Sequence, residues 1–393
     1  MEPLAGITVV TLEHAIAAPF ATRQLADLGA RVIKVERPGV GDFARGYDER
    51  VHGLASHFVW ANRSKESLTL DVKHPQALGL LNRLIIEHAD VVVQNLAPGA
   101  AARLGLSYAR LSAAKPSLVV CDISGYGEDG PYRDKKAYDL MIQSEAGFLS
   151  VTGTEEEPAK AGLSIADIAA GMYAYSNILA ALLQRARTGR GTHLDISMLE
   201  ALIEWMSYPL YYAYHGASPP ARTGASHATI YPYGPFPSGD GKTVMLGLQN
   251  EREWAAFCSK VLLRPELAID PRYSTNSKRS EARDELRAVI VAAFSTLTAE
   301  EVLRRLDDAQ IANAQVNDMH AVWEHPQLRA RRRWFEIDSP AGRIPALLPP
   351  GIDPDGALPA GRVPALGEHT DAILASLGCS ATDIASLRAA QAI

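Results

Sequence analysis

The feature that most restricts how this chain can fold is the alternation of strand-like and helix-like segments through its first third. The run "GITVVTLE" is short and β-branched. "AAPFATRQLADLGA" follows with helical spacing and ends on the stop signal Gly29, and "RVIKVE" is the next strand. The pattern returns in "LLNRLIIEHA" with "DVVVQNL", and in "YARLSAAKP" with "SLVVCDISGYG". Strand, helix, strand in repetition predicts an α/β fold, a parallel sheet of Rossmann-like βα units covered by helices. Ligands of such sheets lie beyond the carboxyl ends of the strands. Those ends carry Glu13 and His14, Glu36 and Arg37, Gln94 and Asn95, and Ser124 to Gly127.

The first turn, "EHAIAAPF", holds no glycine, so a dinucleotide pyrophosphate has no tight backbone cradle there. Glu36 ends the second strand where a ribose-binding acid would lie, but one acid without the glycines is a weak signal. A length of 393 residues predicts more than one domain. We read 1–215 as a large α/β domain and 216–235, rich in Gly, Pro and Ser, as a linker. Residues 236–320 form a smaller α+β domain with the strand "KTVMLGL", and 321–393 are a linker and a C-terminal return to the large domain.

The net charge of −6 gives no electrostatic case for nucleic acid. Cys121, Cys258 and Cys379 are scattered without CxxC or His-rich spacing, which argues against a disulfide framework and against a metal site. The N-terminus lacks the basic, apolar, small-residue order of a signal peptide. The longest uncharged stretch, Ile168–Gln184, is short for a membrane span. A cytoplasmic protein with neither a membrane nor a nucleic-acid partner is expected.

One segment stands apart. In "KAGLSIADIAAGMYAYSNILAALL", from Lys160, a single carboxylate, Asp167, heads an apolar run with no other charge until Arg185. An ionised carboxylate in such surroundings needs hydrogen bonds or a partner. Ser164 is placed to cap the helix, with Asp167 in a first turn whose free N–H groups favour an anion by about 0.3–1 kcal/mol. Burial works the other way and raises a carboxyl pKa. Further on, "SMLE" reads as a capping box of Ser197 with Glu200.

The string "SIADIAAGMYAYSNILAALLQRARTGRGTHLDISMLEAL" resembles the family III CoA-transferases, the group that contains formyl-CoA and carnitine CoA-transferases. So do "GARVIKVERPGVGD", "ANRSKESLTLDVK", "DVVVQNLAPGAAARLGL", "ISGYGEDGPYRDKKAYD" and "GEHTDAILASLG", in the family's order over nearly the whole chain. The resemblance implies that Asp167 matches the aspartate that becomes acylated. It implies that Arg37, Asn95, Arg103 and Lys136 hold the nucleotide and pantetheine parts of coenzyme A, with Leu70 and Lys73 near the same groove. It implies a pocket that includes His14, Ile16, Ala17, Tyr138 and Asp139, no permanently bound cofactor, and an interlocked homodimer.

CoA transfer exchanges a thioester for a carboxylate at little net free-energy change, and a nucleophilic carboxylate divides it into easier steps. Small apolar neighbours of Asp167 suit a site that must keep water from an anhydride. Arg37, Arg103 and Lys136 suit CoA phosphates. Backbone N–H groups near His14–Ala17, or in "GLQN" at Gly247–Asn250, are candidate oxyanion donors. Ile16 stands where the formyl-CoA enzymes have a glutamine, which argues against formate and oxalate. The Asp167 helix looks most like enzymes that take four- and five-carbon dicarboxylates with succinyl-CoA, or that move CoA within one mesaconyl unit. Arg45, Arg222 or His227 is then expected to meet a second carboxylate. The α-methylacyl-CoA racemases share the fold, but they need two bases, and where they have a histidine this chain has Tyr138, a phenol with a pKa near 10.

Overall fold

The computed structural model describes residues 2–356 and 361–393. Two units divide the chain. The first comprises 1–147, 161–207 and 326–393, and the second 148–160 and 208–325. The segment 148–160, read from sequence as part of the large domain, thus falls in the second unit, which also takes in 208–215.

The first unit is built on a six-stranded parallel sheet: β1 (Thr8–Leu12), β2 (Arg31–Glu36), β3 (Lys65–Thr69), β4 (Val91–Gln94), β5 (Val119–Ser124) and β6 (His193–Ser197). Their order is β3-β2-β1-β4-β5-β6. Adjacent strands pair in parallel, Val9 opposite Val32 on one side and opposite Val91 on the other. The chain winds outward from β1 through β2 to β3, then returns to β4 and winds the other way. The crevice between the ends of β1 and β4 is therefore the topological switch point.

Strand alternation sorts the two sheet faces. Val10, Leu12, Ile33, Val35 and Leu68 join one apolar core with Leu81, Leu84 and the C-terminal Ile373, Leu374 and Leu377. The opposite face of the same strands carries Thr11, Glu13, Lys34, Glu36, Lys65 and Ser67, all buried. The C-terminal segment is tied to β3: Thr69 N donates to Thr370 Oγ1 at 3.0 Å and Ser67 N to His369 Nδ1 at 3.1 Å.

Three helices of this unit lie around the isolated carboxylate: α1 (Ala17–Asp27), α2 (Asp139–Glu145) and α3 (Ile165–Thr188). The Ala-rich α3 runs until Gly189, whose φ of 69° ends it in the left-handed conformation, with Gly189 N bonded back to Arg185 O at 2.8 Å. α3 is long and apolar enough to cross a membrane by length and composition. Ala166, Ala170, Ala174, Ile178 and Ala181 are buried where α3 packs on α1, β5 and β6. The helix Met198–Trp205 begins as expected at Ser197, whose hydroxyl accepts from Glu200 N at 3.3 Å.

The second unit has a three-stranded antiparallel sheet, β7 (Tyr233–Pro237), β8 (Thr243–Gly247) and β9 (Ala312–Gln315), in that order. Phe236, Leu246, Trp254, Phe257, Ile290, Phe294 and Val302 form its core.

Candidate active site

Asp167 stands in the first turn of α3, and its surroundings explain the isolated carboxylate. Ser164 makes no side-chain cap: its ψ of 73° departs from the extended backbone in which a cap hydroxyl faces the helix N–H groups. The cap comes from α2 instead. Asp139 Oδ1 accepts from Ala166 N at 2.8 Å and from Asp167 N at 3.4 Å. Its other oxygen accepts from Gln143 Nε2 at 2.6 Å, and Gln143, fully buried, accepts from Ala161 N at 2.9 Å.

One turn beyond Asp167, on the same face, lies Gly171. A Cβ there would stand 2.7 Å from Ala17 O and 2.9 Å from the Phe20 ring, so only glycine lets α1 approach this closely. The approach sets Ala17, at the start of α1, against the first turns of α3, and its N–H is among the groups that favour the ionised form of Asp167. Asp167 is half-buried. Burial first, and the charge of Asp139 second, push its carboxyl up to about 7, while the Ala17 N–H works against them. Near neutral pH the group therefore exists in both forms.

The turn that presents Ala17 is held from several sides. Asn95, after β4, spans the switch-point crevice: its Oδ1 accepts from His14 N at 2.8 Å and its Nδ2 donates to His14 O at 2.9 Å. Asp42 Oδ1 accepts from Ala15 N at 3.2 Å and from Ala44 N at 2.9 Å, and its Oδ2 from Lys34 Nζ at 2.8 Å. Beneath the turn, Lys65 Nζ donates to Glu13 Oε1 at 2.6 Å, Pro19 O at 3.0 Å and Asn62 Oδ1 at 3.1 Å. Burial pulls Lys65 down to about 7 against the attraction of Glu13. Burial likewise opposes ionisation of Glu13 and Asp42. Lys65 and Lys34 hold Glu13 below the usual carboxylate range, and Lys34, His14 and the Ala44 N–H do the same for Asp42.

An aromatic row borders the site. His14 stacks on Phe43 with centroids 5.1 Å apart, Phe43 meets Tyr47 at 5.9 Å, and Tyr47 meets His57 edge-on at 5.5 Å. The Tyr47 phenol is pushed up by burial and then by Asp42, Asp167 and Tyr138. Tyr138 is 70% exposed at the start of α2. Sequence reasoning missed Phe43, Tyr47 and Gln143. Its nearest signal was the Gly-Asp pair preceding the turn Phe43–Gly46, which Asp42 caps.

The residues expected to hold CoA divide into two groups. Lys73 follows β3, Arg37 follows β2, Arg103 lies in the short helix after β4 and Lys136 precedes α2, and all four are exposed. Among the described residues, the side chains of Arg37, Lys73 and Lys136 have no hydrogen bond or ion pair, and Arg103 makes one 3.5 Å contact to Pro98 O. The other two residues have their side chains turned inward or engaged. The Leu70 side chain is 2% exposed in the core, because strand alternation turns it inward. The Asn95 amide is occupied by the His14 backbone. Ile16, at 5% exposure, packs inward at the N-cap of α1.

The expected partners of a second carboxylate are committed elsewhere. Arg45 forms a two-pronged pair with Glu36 at 2.8 Å on each oxygen and lies 3.7 Å over the Phe58 ring. That pairing also removes Glu36 as a ribose ligand. In the second unit, Arg222 donates to Thr154 O and Glu155 O, and His227 Nδ1 accepts from Thr229 N and Ile230 N. There too, Gln249 N, a candidate oxyanion donor, donates to Glu253 Oε2 at 2.6 Å. No metal-ligand spacing was legible in sequence, yet the fold gathers Asp122, Glu128 and His193 with ligand atoms within 4.8 Å of one another. His193 Nε2 lies 2.7 Å from Asp122 and 3.3 Å from Glu128, an ion-paired cluster.

With this geometry in view, the family model for CoA-transferase family III matches residues 4–370. The succinyl-CoA:glutarate CoA-transferase of Mus musculus is 33% identical over 381 residues, covering 95% of this chain and 86% of the relative. The succinate–glutarate CoA-transferase of Agrobacterium fabrum is 34% identical, covering 95% and 96%. The succinyl-CoA–D-citramalate CoA-transferase of Chloroflexus aurantiacus is 31% identical, covering 100% and 98%. Among solved structures, a CAIB/BAIF family protein from Brucella suis superposes with a TM-score of 0.84 at 35% identity, covering 95% of this chain and 99% of its own.

Proposed function

The chain belongs to CoA-transferase family III, and on that premise we propose that it moves CoA from succinyl-CoA to a second dicarboxylate through covalent intermediates on Asp167. The observation that carries the proposal is the half-buried Asp167 carboxylate at the N-terminus of α3, met by the Ala17 amide. The Asp167 carboxylate attacks the acyl carbonyl, the carbon–sulfur bond breaks, and the CoA thiolate leaves behind a mixed anhydride. The thiolate attacks the aspartyl carbonyl and releases the donor acid, leaving an aspartyl-CoA thioester. The acceptor carboxylate then displaces the thiolate to form a second anhydride. Attack of the thiolate on the acceptor's acyl carbon yields the new acyl-CoA and frees Asp167.

Arg37, Arg103, Lys73 and Lys136 suit the nucleotide phosphates, and tethering CoA there keeps the thiolate near its target at a high effective concentration. The choice of dicarboxylates rests on what the relatives' names say they act on, glutarate and citramalate among them. A cytoplasmic homodimer is part of the proposal. In the second unit Tyr208, Leu210, Tyr211 and Tyr214 are each at least 56% exposed, an apolar run that a second copy would cover.

The test incubates the protein with succinyl-CoA and glutarate, mesaconate, citramalate, malate or oxalate, and follows acyl-CoA products by mass spectrometry. Glutaryl-CoA or a related product that is lost in Asp167→Ala is expected, with an Asp167 hydroxamate when hydroxylamine is present. Undiminished transfer by Asp167→Ala would reject the mechanism. Transfer to oxalate alone, the two-carbon diacid, would reject the four- and five-carbon dicarboxylates as the substrate class.

A further inference from the structure

The turn between β1 and α1 is short, carries no glycine and is strained, yet it sets Ala17 against α3 one turn from Asp167, where a Cβ at Gly171 would stand 2.7 Å from Ala17 O. Ala15 has φ of 60°, a left-handed conformation that costs a non-glycine residue free energy unless its surroundings impose it. Two side chains impose it here. Asp42, fully buried, takes the Ala15 amide on Oδ1 at 3.2 Å. Asn95 takes both backbone groups of His14, at 2.8 and 2.9 Å. Each holder is itself held. Lys34 Nζ bonds Asp42 Oδ2 at 2.8 Å, and the Asp42 N–H donates to Glu36 Oε1 at 3.0 Å, while Arg45 grips both Glu36 oxygens. Asn95 stands at the end of the strand next to β1, at the switch point.

We infer that Asp42 and Asn95 are positioning residues for the nucleophile: they lock the β1–α1 turn so that the Ala17 amide is aimed at the Asp167 carboxylate. The inference rests on Asp167 being the acylated group. It assigns Asn95 to the turn rather than to CoA, whose phosphates are left to the cations along the sheet edge. A pre-aimed amide costs no reorganisation when charge moves on and off the carboxylate. Loosening it displaces the reacting group, and a misplacement of about 1 Å costs on the order of 10²-fold in rate.

The experiment compares Asp42→Asn, Asn95→Ala and Asp167→Ala by steady-state kinetics with succinyl-CoA and glutarate, and by single-turnover acylation across pH. Asp42→Asn keeps an oxygen for Ala15 N but turns an amide toward Lys34 or loses that contact. Asn95→Ala frees the turn from the other side and leaves the buried charges intact, so it serves where Asp42→Asn does not fold. Each is expected to lower kcat by roughly 10- to 100-fold, with KM for succinyl-CoA within about threefold. The pH midpoint for acylation should rise, because the amide that favours the ionised form is lost. A rise in KM for succinyl-CoA with kcat unchanged would overturn the inference for Asn95 and return it to CoA binding. Wild-type kcat in both variants, with Asp167→Ala inactive, would overturn the inference alone. Full activity in Asp167→Ala would overturn the reading beneath it.

Discussion

Asp139 sits against Asp167, the proposed nucleophile, in two capacities that a single substitution separates. Its Oδ1 caps α3 through Ala166 N at 2.8 Å, and its charge is the second cause, after burial, of the upward shift of Asp167 to about 7. Asp139→Asn keeps an oxygen for the cap and deletes the charge. With Asp139 Oδ1 only 3.4 Å from Asp167 N, and Asp167 half-buried, the lost repulsion is on the order of 1.4 kcal/mol, or about one pH unit. Removing a like charge favours the ionised form, so the midpoint must fall, from about 7 toward 6. At pH 6 the variant should then acylate faster than the parent relative to each protein's plateau above pH 8. The assay is rapid-quench formation of acylated Asp167 from pH 5 to 9, read by intact mass. The Asn amide also confronts Gln143 Nε2, now bonded to Asp139 at 2.6 Å, so a loss of about 1 kcal/mol in unfolding free energy is expected beside the pH effect. A midpoint that stays at 7 or rises would refute the assignment of Asp139 as a cause of the shift.

The same geometry sets three further outcomes. Because the folded carboxyl of Asp167 titrates at about 7 and the unfolded one near its ordinary 3.8, the native state binds the extra proton between those values, and stability falls as pH rises through that window. Asp167→Asn should therefore raise Tm above the parent's by an amount that grows from pH 4 to 7 and is constant above, and a Tm difference independent of pH would contradict this. Gly171→Ala places a Cβ 2.7 Å from Ala17 O, so chemical unfolding should register a loss of about 1–3 kcal/mol and kcat should drop as α1 is pushed from Asp167. Arg45→Ala leaves the buried Glu36 carboxylate without its main partner. It should cost about 3–5 kcal/mol in urea unfolding while leaving the preference among acceptor dicarboxylates unchanged, and an altered preference would restore Arg45 to the substrate site.

What the sequence by itself determined is the part of this protein governed by local pattern. The alternation of β-branched runs with 3.6-period segments dictated a parallel α/β sheet, the lone charge of Asp167 in an apolar helix singled that residue out, and the resemblance to family III CoA-transferases made it the candidate nucleophile. The carboxyl ends of β1, β2, β4 and β5 were legible as the edge where a ligand is expected, because period and punctuation are properties of neighbouring residues. What the tertiary structure alone decided is how side chains distant in the chain divide one another's valences. "RVIKVE" reads as a strand, and the structure buries its Lys34 and Glu36, one reaching Asp42 and the other Arg45. Ser164 looked like the cap, and Asp139 performs it from another helix. Asn95 looked like a ligand for CoA and holds the backbone of His14, 81 residues earlier. Arg45, Arg222 and His227 looked free for substrate and are engaged within their own units. A hydrogen bond is a pairwise contact between groups with few positions to fill, so a polar residue's role depends on which partner the fold brings to it first. That partner is set by strand order and helix approach, and by the space that Gly171 leaves open for α1.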